Sequence, residues 1–139
     1  MAKVAHKSIK VGDLIPALVR SPVSRVQISQ FAAAVNDFGP MHVDEQLAKS
    51  KGLSGIFAHG QLAFAYCEQA LRQYAENAEI VQITTTFQKL IWPGDILTCK
   101  GLISKCYQSK KRKLIDLELW VENQNQDVVL KGKATCEVK

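Results

Sequence analysis

The spacing of apolar residues changes period at Ile80, from helical before it to alternating after it. Ile28, Phe31, Ala32 and Val35 stand at i, i+3, i+4 and i+7, which is one face of a helix. Ser24 and Gln27 read as a capping box at its start. Gly39-Pro40 breaks it, so it ends near Asn36-Asp37. A short second helix fits Asp44 to Ser50, with Asp44 as N-cap and Gly52 as its stop. A Gly-rich loop, Gly52 to Gly60, then opens into a helix of roughly Gly60 to Glu76. Its first half, Leu62 to Cys67, is apolar on every side, which predicts burial. Glu68, Gln69, Arg72 and Gln73 make the second half amphipathic.

From Ile80 the period is two. Val81, Ile83, Thr85 and Phe87 alternate with Gln82, Thr84, Thr86 and Gln88. Trp92-Pro93-Gly94-Asp95 is a turn, and Ile96 to Cys106 is a long, less regular strand. Ile115, Leu117, Leu119 and Val121 alternate with Asp116, Glu118, Trp120 and Glu122. After a turn at Asn123 to Asp127, Val128, Leu130, Gly132, Ala134 and Cys136 face one way. These are antiparallel strands with one covered face. An extended piece from Leu14 to Val19 contains Pro16 and belongs at an edge or a strand end. The pattern predicts an α+β protein: a four-stranded antiparallel meander curled around one apolar helix, with a strand ahead of the helices. Its exposed sheet edge invites pairing with a second copy, so a homodimer or higher homo-oligomer is expected.

The 139 residues suit a single domain, residues 1–139. With 47% hydrophobic and 22% charged residues there is material for one core, and the composition argues against disorder. The chain is too short for a separate dinucleotide-binding domain. No apolar run approaches the ~18 residues of a membrane span, and the basic start of the chain leads into Val11-Gly12-Asp13, unlike a secretory signal. Cys67, Cys99, Cys106 and Cys136 form no C-x-x-C and no zinc spacing, so buried reduced thiols in the cytoplasm are expected.

The net charge of +5 is concentrated. Lys105, Lys110, Lys111, Arg112 and Lys113 lie close together without an acid, and Lys3, Lys7 and Lys10 add to the excess. A solvated hairpin with Gln108-Ser109 at its bend is the simplest reading. A phosphate-bearing ligand or an acidic carrier comes next. Nucleic acid comes last, because no aromatics interleave with the basic residues. No nucleic-acid or membrane partner is expected.

Two segments carry candidate chemistry. In Asn36-Asp37-Phe38-Gly39-Pro40-Met41-His42, a Gly-Pro kink lets an acid and an imidazole five residues apart point to one spot. Such a pair can take a proton from water and return one. Taken alone, Asp37 also reads as a helix terminator and His42 as a cap. In Ala58-His59-Gly60, a glycine stands at the mouth of the buried helix, where unpaired N–H groups carry partial positive charge. That arrangement suits an oxyanion hole. His59 by itself reads as structural rather than catalytic.

The run Phe31-Ala32, Asn36-Asp37, Gly39-Pro40-Met41-His42, Asp44, Ala48 and Ala58-His59-Gly60 resembles the MaoC-like, (R)-specific enoyl-CoA hydratase family of the hot dog fold. The likeness extends over nearly the whole chain, and its specificity lies in residues 31 to 62. It implies that Asp37 and His42 are the catalytic pair. It also implies that the backbone amide of Gly60, eighteen residues after His42, is the oxyanion donor. The implied reaction is hydration of a trans-2-enoyl thioester of CoA or acyl carrier protein to the (R)-3-hydroxyacyl thioester. No metal and no further cofactor are implied. The acyl tail is expected between sheet and helix, and the basic residues at the phosphates of the carrier. The family usually reads Gly-Asp-x-Asn-Pro-Ile/Leu-His; here Asn36, Gly39 and Met41 stand in the Gly, Asn and Ile positions. Gly39 removes a side-chain brace from the loop, and Gln61 replaces the usual methionine with a polar group. A hot dog thioesterase and a non-catalytic acyl-binding subunit are the alternatives.

Overall fold

The computed structural model describes residues 9–74 and 78–139. Lys3, Lys7 and the expected helix end at Glu76 lie outside the described residues. The element order is β1 (Leu18–Val19), α1 (Arg25–Val35), α2 (Pro40–Val43), α3 (Glu45–Ser50), α4 (Gly60–Tyr74), β2 (Glu79–Phe87), β3 (Thr98–Ser109), β4 (Arg112–Glu122) and β5 (Val128–Glu137).

α1 begins where Ser24 accepts the Gln27 N–H at 3.0 Å. Only this half of the capping box forms, because the Gln27 amide donates instead to the Tyr66 hydroxyl on α4 at 2.6 Å. Ile28 and Ala32 are fully buried, and Asn36 ends the helix in the left-handed region at φ 55°. α2 was not expected. Pro40 does not only break a helix here; it starts one, at the first-turn position where a missing N–H costs nothing. Asp44 caps α3 as expected, accepting the Leu47 N–H.

The five strands form one antiparallel sheet in the order β1-β3-β4-β5-β2, curled against α4 in the hot dog arrangement. The expected four-stranded meander is corrected: only β3, β4 and β5 run consecutively. β2 crosses to the far edge and pairs with β5. Alternation shows which face of a strand is apolar but does not name its neighbour. β1 is the other edge, as the proline suggested. A bulge between Ile80 and Gln82 turns Val81 outward, leaving it 46% exposed, so its expected place on the inner face is also corrected.

Ile115, Leu117, Leu119 and Val121 of β4 form the buried floor under Leu62, Ala63, Tyr66 and Cys67 of α4. Leu119 is flanked across the sheet by Gly101 and Gly132. A Cβ on Gly132 would stand 2.6 Å from the Thr84 carbonyl oxygen, so the glycine lets β2 close onto β5. The β3–β4 hairpin bends at Lys110-Lys111, both at positive φ, and not at Gln108-Ser109. Cys67, Cys99 and Cys136 are buried, but Cys106 is exposed, against expectation. The Cys67 and Cys99 sulfurs are 3.5 Å apart. The hydrogen bond with Cys99, and then burial, push the Cys67 thiol upward; burial alone pushes Cys136 up to about 11. Neither of these two is a ready nucleophile. No helix among the described residues is long and apolar enough to cross a membrane.

Candidate active site

The loop after α1, the short α2 and the segment before α4 meet at the N-terminus of α4. One carboxylate oxygen of Asp37, one ring nitrogen of His42 and one of His59 lie within 4.8 Å of one another. The sequence-derived pair therefore converges, and His59 joins it. Asp37 is half exposed, His42 half-buried and His59 buried.

Backbone hydrogen bonds set the loop. Asp37 N–H donates to Ala32 O at 2.9 Å, continuing the α1 terminus. Asp37 Oδ1 accepts the Gly39 N–H at 3.1 Å, and His42 N–H donates to Gly39 O at 2.9 Å. These bonds brace the loop without the missing asparagine. Gly39 has ordinary dihedrals, φ −48° and ψ 129°, so the position does not demand glycine. What it provides is room: a Cβ there would sit 3.2 Å from Asp37 Oδ1 and 3.3 Å from His42 Cδ2.

His42 Nδ1 lies 2.7 Å from the Phe57 carbonyl oxygen. A carbonyl only accepts, so Nδ1 carries the hydrogen, and in the neutral ring Nε2 carries the lone pair. By the same logic His59 Nε2 donates to Asp37 O at 2.9 Å. The set has metal-ligand chemistry, but His42 Nδ1 and His59 Nε2 are committed as donors. The two rings also stack with centroids 3.8 Å apart and 23° between planes. Lone pairs in nearly parallel planes do not converge on one ion, and we assign none.

The Ala58-His59-Gly60 segment is pinned on three sides. Ile56 N–H donates to Glu45 Oε2 at 3.1 Å, Phe57 N–H to Met41 O at 3.2 Å, and Ala58 N–H to Ile91 O at 2.7 Å. The Ile56 N–H, aided by Arg25, holds the Glu45 carboxyl below its usual range. Gly60 is the first residue of α4, so no earlier helical carbonyl lies in register for its amide. It is only half-buried, which leaves the backbone approachable. Gln61 is exposed on the same turn.

Two features bear on where a substrate is expected. Core side chains such as Leu97, Ile103 and Leu117 are each at most 1% exposed. Exposed apolar groups beside the cluster include Phe38, next to Asp37, and Phe87, against Gly60. A trough on the other face of the sheet, along Thr84, Glu118, Trp120 and Lys131, includes none of these site residues. The basic hairpin is also distant. β2 runs from the sheet end nearest it, where Glu79 pairs with Glu137, to Phe87 at the site, roughly 26 Å of strand. Arg112 there is paired with Glu137 at 2.7 Å.

Comparison with known proteins agrees with the fold. Residues 10–125 match the family described as MaoC like domain, and the chain belongs to that family. It is 25% identical to the mitochondrial 3-hydroxyacyl-[acyl-carrier-protein] dehydratase of Arabidopsis thaliana over 139 residues, covering 97% of this chain and 81% of that protein. Its fold is similar to the (R)-hydratase of A. caviae involved in PHA biosynthesis, with a TM-score of 0.85 and 19% identity, covering 96% of this chain and 99% of that one. It is also similar to a chain of the ChsH1–ChsH2 complex of Mycobacterium tuberculosis, with a TM-score of 0.83 and 19% identity over 95% and 100% of the two chains.

Proposed function

We propose that this chain is a hydro-lyase that reversibly hydrates trans-2-enoyl thioesters of CoA or acyl carrier protein to (R)-3-hydroxyacyl thioesters in fatty-acid metabolism. The observation that carries the reading is the convergence of Asp37 and His42 beside the start of α4. Family membership and the names of the relatives support it.

The thioester carbonyl accepts a hydrogen bond from the Gly60 amide, and the N-terminus of α4 favours the enolate-like charge that develops. A water sits between Asp37 and His42. His42 Nε2 accepts one of its hydrogens and orients it. The water oxygen attacks C3 while Asp37 takes a proton, and that proton passes to C2 by way of His42 Nε2, whose lone pair is free to carry it. One water thus supplies the hydroxyl at C3 and, by proton count, the hydrogen at C2. The reverse sequence dehydrates. The thioester carries its own activating group, and no metal or other cofactor takes part. The acyl chain runs along Phe38 and Phe87.

The exposed β2 edge, with Val81 46% and Phe87 58% exposed, suits pairing with a second copy in a homodimer. Free thiols in the core suit a reducing compartment, and we place the protein in the cytoplasm.

The deciding experiment incubates the purified chain with crotonyl-CoA and longer enoyl-CoAs, following loss of the conjugated double bond and release of free thiol in parallel. Hydration without thiol release is expected. Thiol release would instead make it a thioesterase. Inertness toward every chain length, on CoA and on carrier protein, would reassign it as a non-catalytic acyl-binding subunit.

A further inference from the structure

We propose that His59 is a positioning residue that keeps the Asp37 carboxylate, the His42 imidazole and the Gly60 amide in register; this deepens, and rests on, the hydration reading. Three contacts carry it. The His59 Nε2–H donates to the backbone carbonyl of Asp37 at 2.9 Å, fixing the peptide from which the carboxylate projects. The His59 ring stacks on His42 at 3.8 Å, while Phe31 lies 5.2 Å away. His42 is therefore held at its face by His59 and at its Nδ1 edge by Phe57 O, which aims Nε2. Finally, His59 is covalently joined to Gly60. One side chain thus links the proton-transfer groups to the proposed oxyanion donor through a single residue.

The imidazole is not the best choice for packing alone. His59 is 2% exposed, and its Nδ1 is buried with no hydrogen-bond partner. A phenylalanine would offer the same stacking surface without an orphaned polar atom. What the imidazole adds is the Nε2–H bond to Asp37. The titratable groups facing it are Asp37, whose Oδ2 is 3.9 Å from His59 Nε2, and His42. Misplacement of reacting groups by about an ångström costs about 10²-fold in rate, and that is the scale expected here.

The test compares H59F, which keeps the ring and loses the donor, with H59Q, which keeps a donor near the Nε2 position. Both are made in the full chain and assayed with crotonyl-CoA. H59F is expected to lose about 10²-fold in kcat, with KM unchanged within roughly threefold, and to shift the pH profile of kcat. H59Q should recover a substantial part of the loss. The carbon-13 resonance of the Asp37 carboxyl reports the site directly: it should be single in the native chain and shifted or broadened in H59F, where the Asp37 peptide has lost its tether. A native kcat and pH profile in H59F, with an unchanged Asp37 carboxyl resonance, overturns the proposal. If H59F does not fold, H59M replaces it, matched in length to H59Q but without a donor; equal kcat in H59M and H59Q overturns the proposal. If the native chain hydrates no enoyl thioester, the functional reading fails separately. The Asp37 carboxyl resonance then decides alone: an altered one supports the positioning role, and an unaltered one overturns it.

Discussion

The ring of Phe87 occupies the space that a side chain on Gly60 would need: a Cβ on Gly60 would stand 2.8 Å from it. The end of an edge strand therefore lies directly against the first residue of the buried helix. Phe87 is 58% exposed, so its ring has somewhere to move.

Gly60→Ala should therefore fold, with Phe87 displaced, and lose hydration activity because the approach to the amide narrows. Loss of an oxyanion donor costs about 10²–10³ in kcat, an upper bound for this variant. The double variant Gly60→Ala/Phe87→Ala separates the two effects. If crowding by the ring contributes, it regains part of the lost kcat in steady-state assays. No recovery would assign the whole loss to the new methyl group.

Asp37→Asn and His42→Ala should each reduce kcat by roughly 10²–10⁴ while leaving the fold intact. Asp37 is half exposed and His42 half-buried at the loop, so neither supports the core. Circular dichroism and the crotonyl-CoA assay on the same preparations check this. Near-native turnover in either variant rejects the pair.

Gly39→Ala tests the room beside the pair. The backbone accepts alanine without strain, so Tm should change little. The added methyl group stands 3.2 Å from Asp37 Oδ1 and 3.3 Å from His42 Cδ2, so one of them shifts by a few tenths of an ångström. The expected outcome is reduced kcat at nearly constant Tm. A parallel fall in both would mean that Gly39 serves the fold and not the site.

Glu45 gives a pH dependence with a definite sign. Its carboxyl is held below the usual range, first by the Ile56 N–H and then by Arg25. A depressed folded-state value contributes stability above the ordinary Glu value of about 4.3, and loses it as pH falls through the folded value. The Tm of the native protein should therefore exceed that of Glu45→Gln most clearly above about pH 5, with the gap shrinking toward acid. Calorimetry across that range measures it. A gap that is constant with pH would show that charge on Glu45 is not involved.

Local signals made much of this molecule legible in advance. Ser24 marked the start of α1, Asp44 that of α3, and the all-apolar Leu62–Cys67 stretch marked the buried helix. The alternation of Ile115 to Val121 named the inner face of β4 correctly. Contacts between distant segments were not legible. Nothing in the β2 pattern indicates that it pairs with β5, and a one-residue bulge moved Val81 to the other face. Pro40 read as a breaker because the rule is local, whereas its role as a first-turn residue depends on the chain that follows. At the site, the spacing of Asp37 and His42 pointed to convergence. The stacking of His59 on His42 had no signal beyond a lone histidine beside a glycine.

The position of β5 between β4 and β2 also bears on how the protein comes to exist in a cell. β2 leaves the ribosome well before the strand it pairs with, and during that interval its backbone groups and the apolar side of α4 have no permanent cover. The nascent chain must tolerate this gap until residues 128–137 arrive. Substitutions in β5 should therefore harm soluble yield more than equally buried substitutions in α1, even where the finished proteins are equally stable.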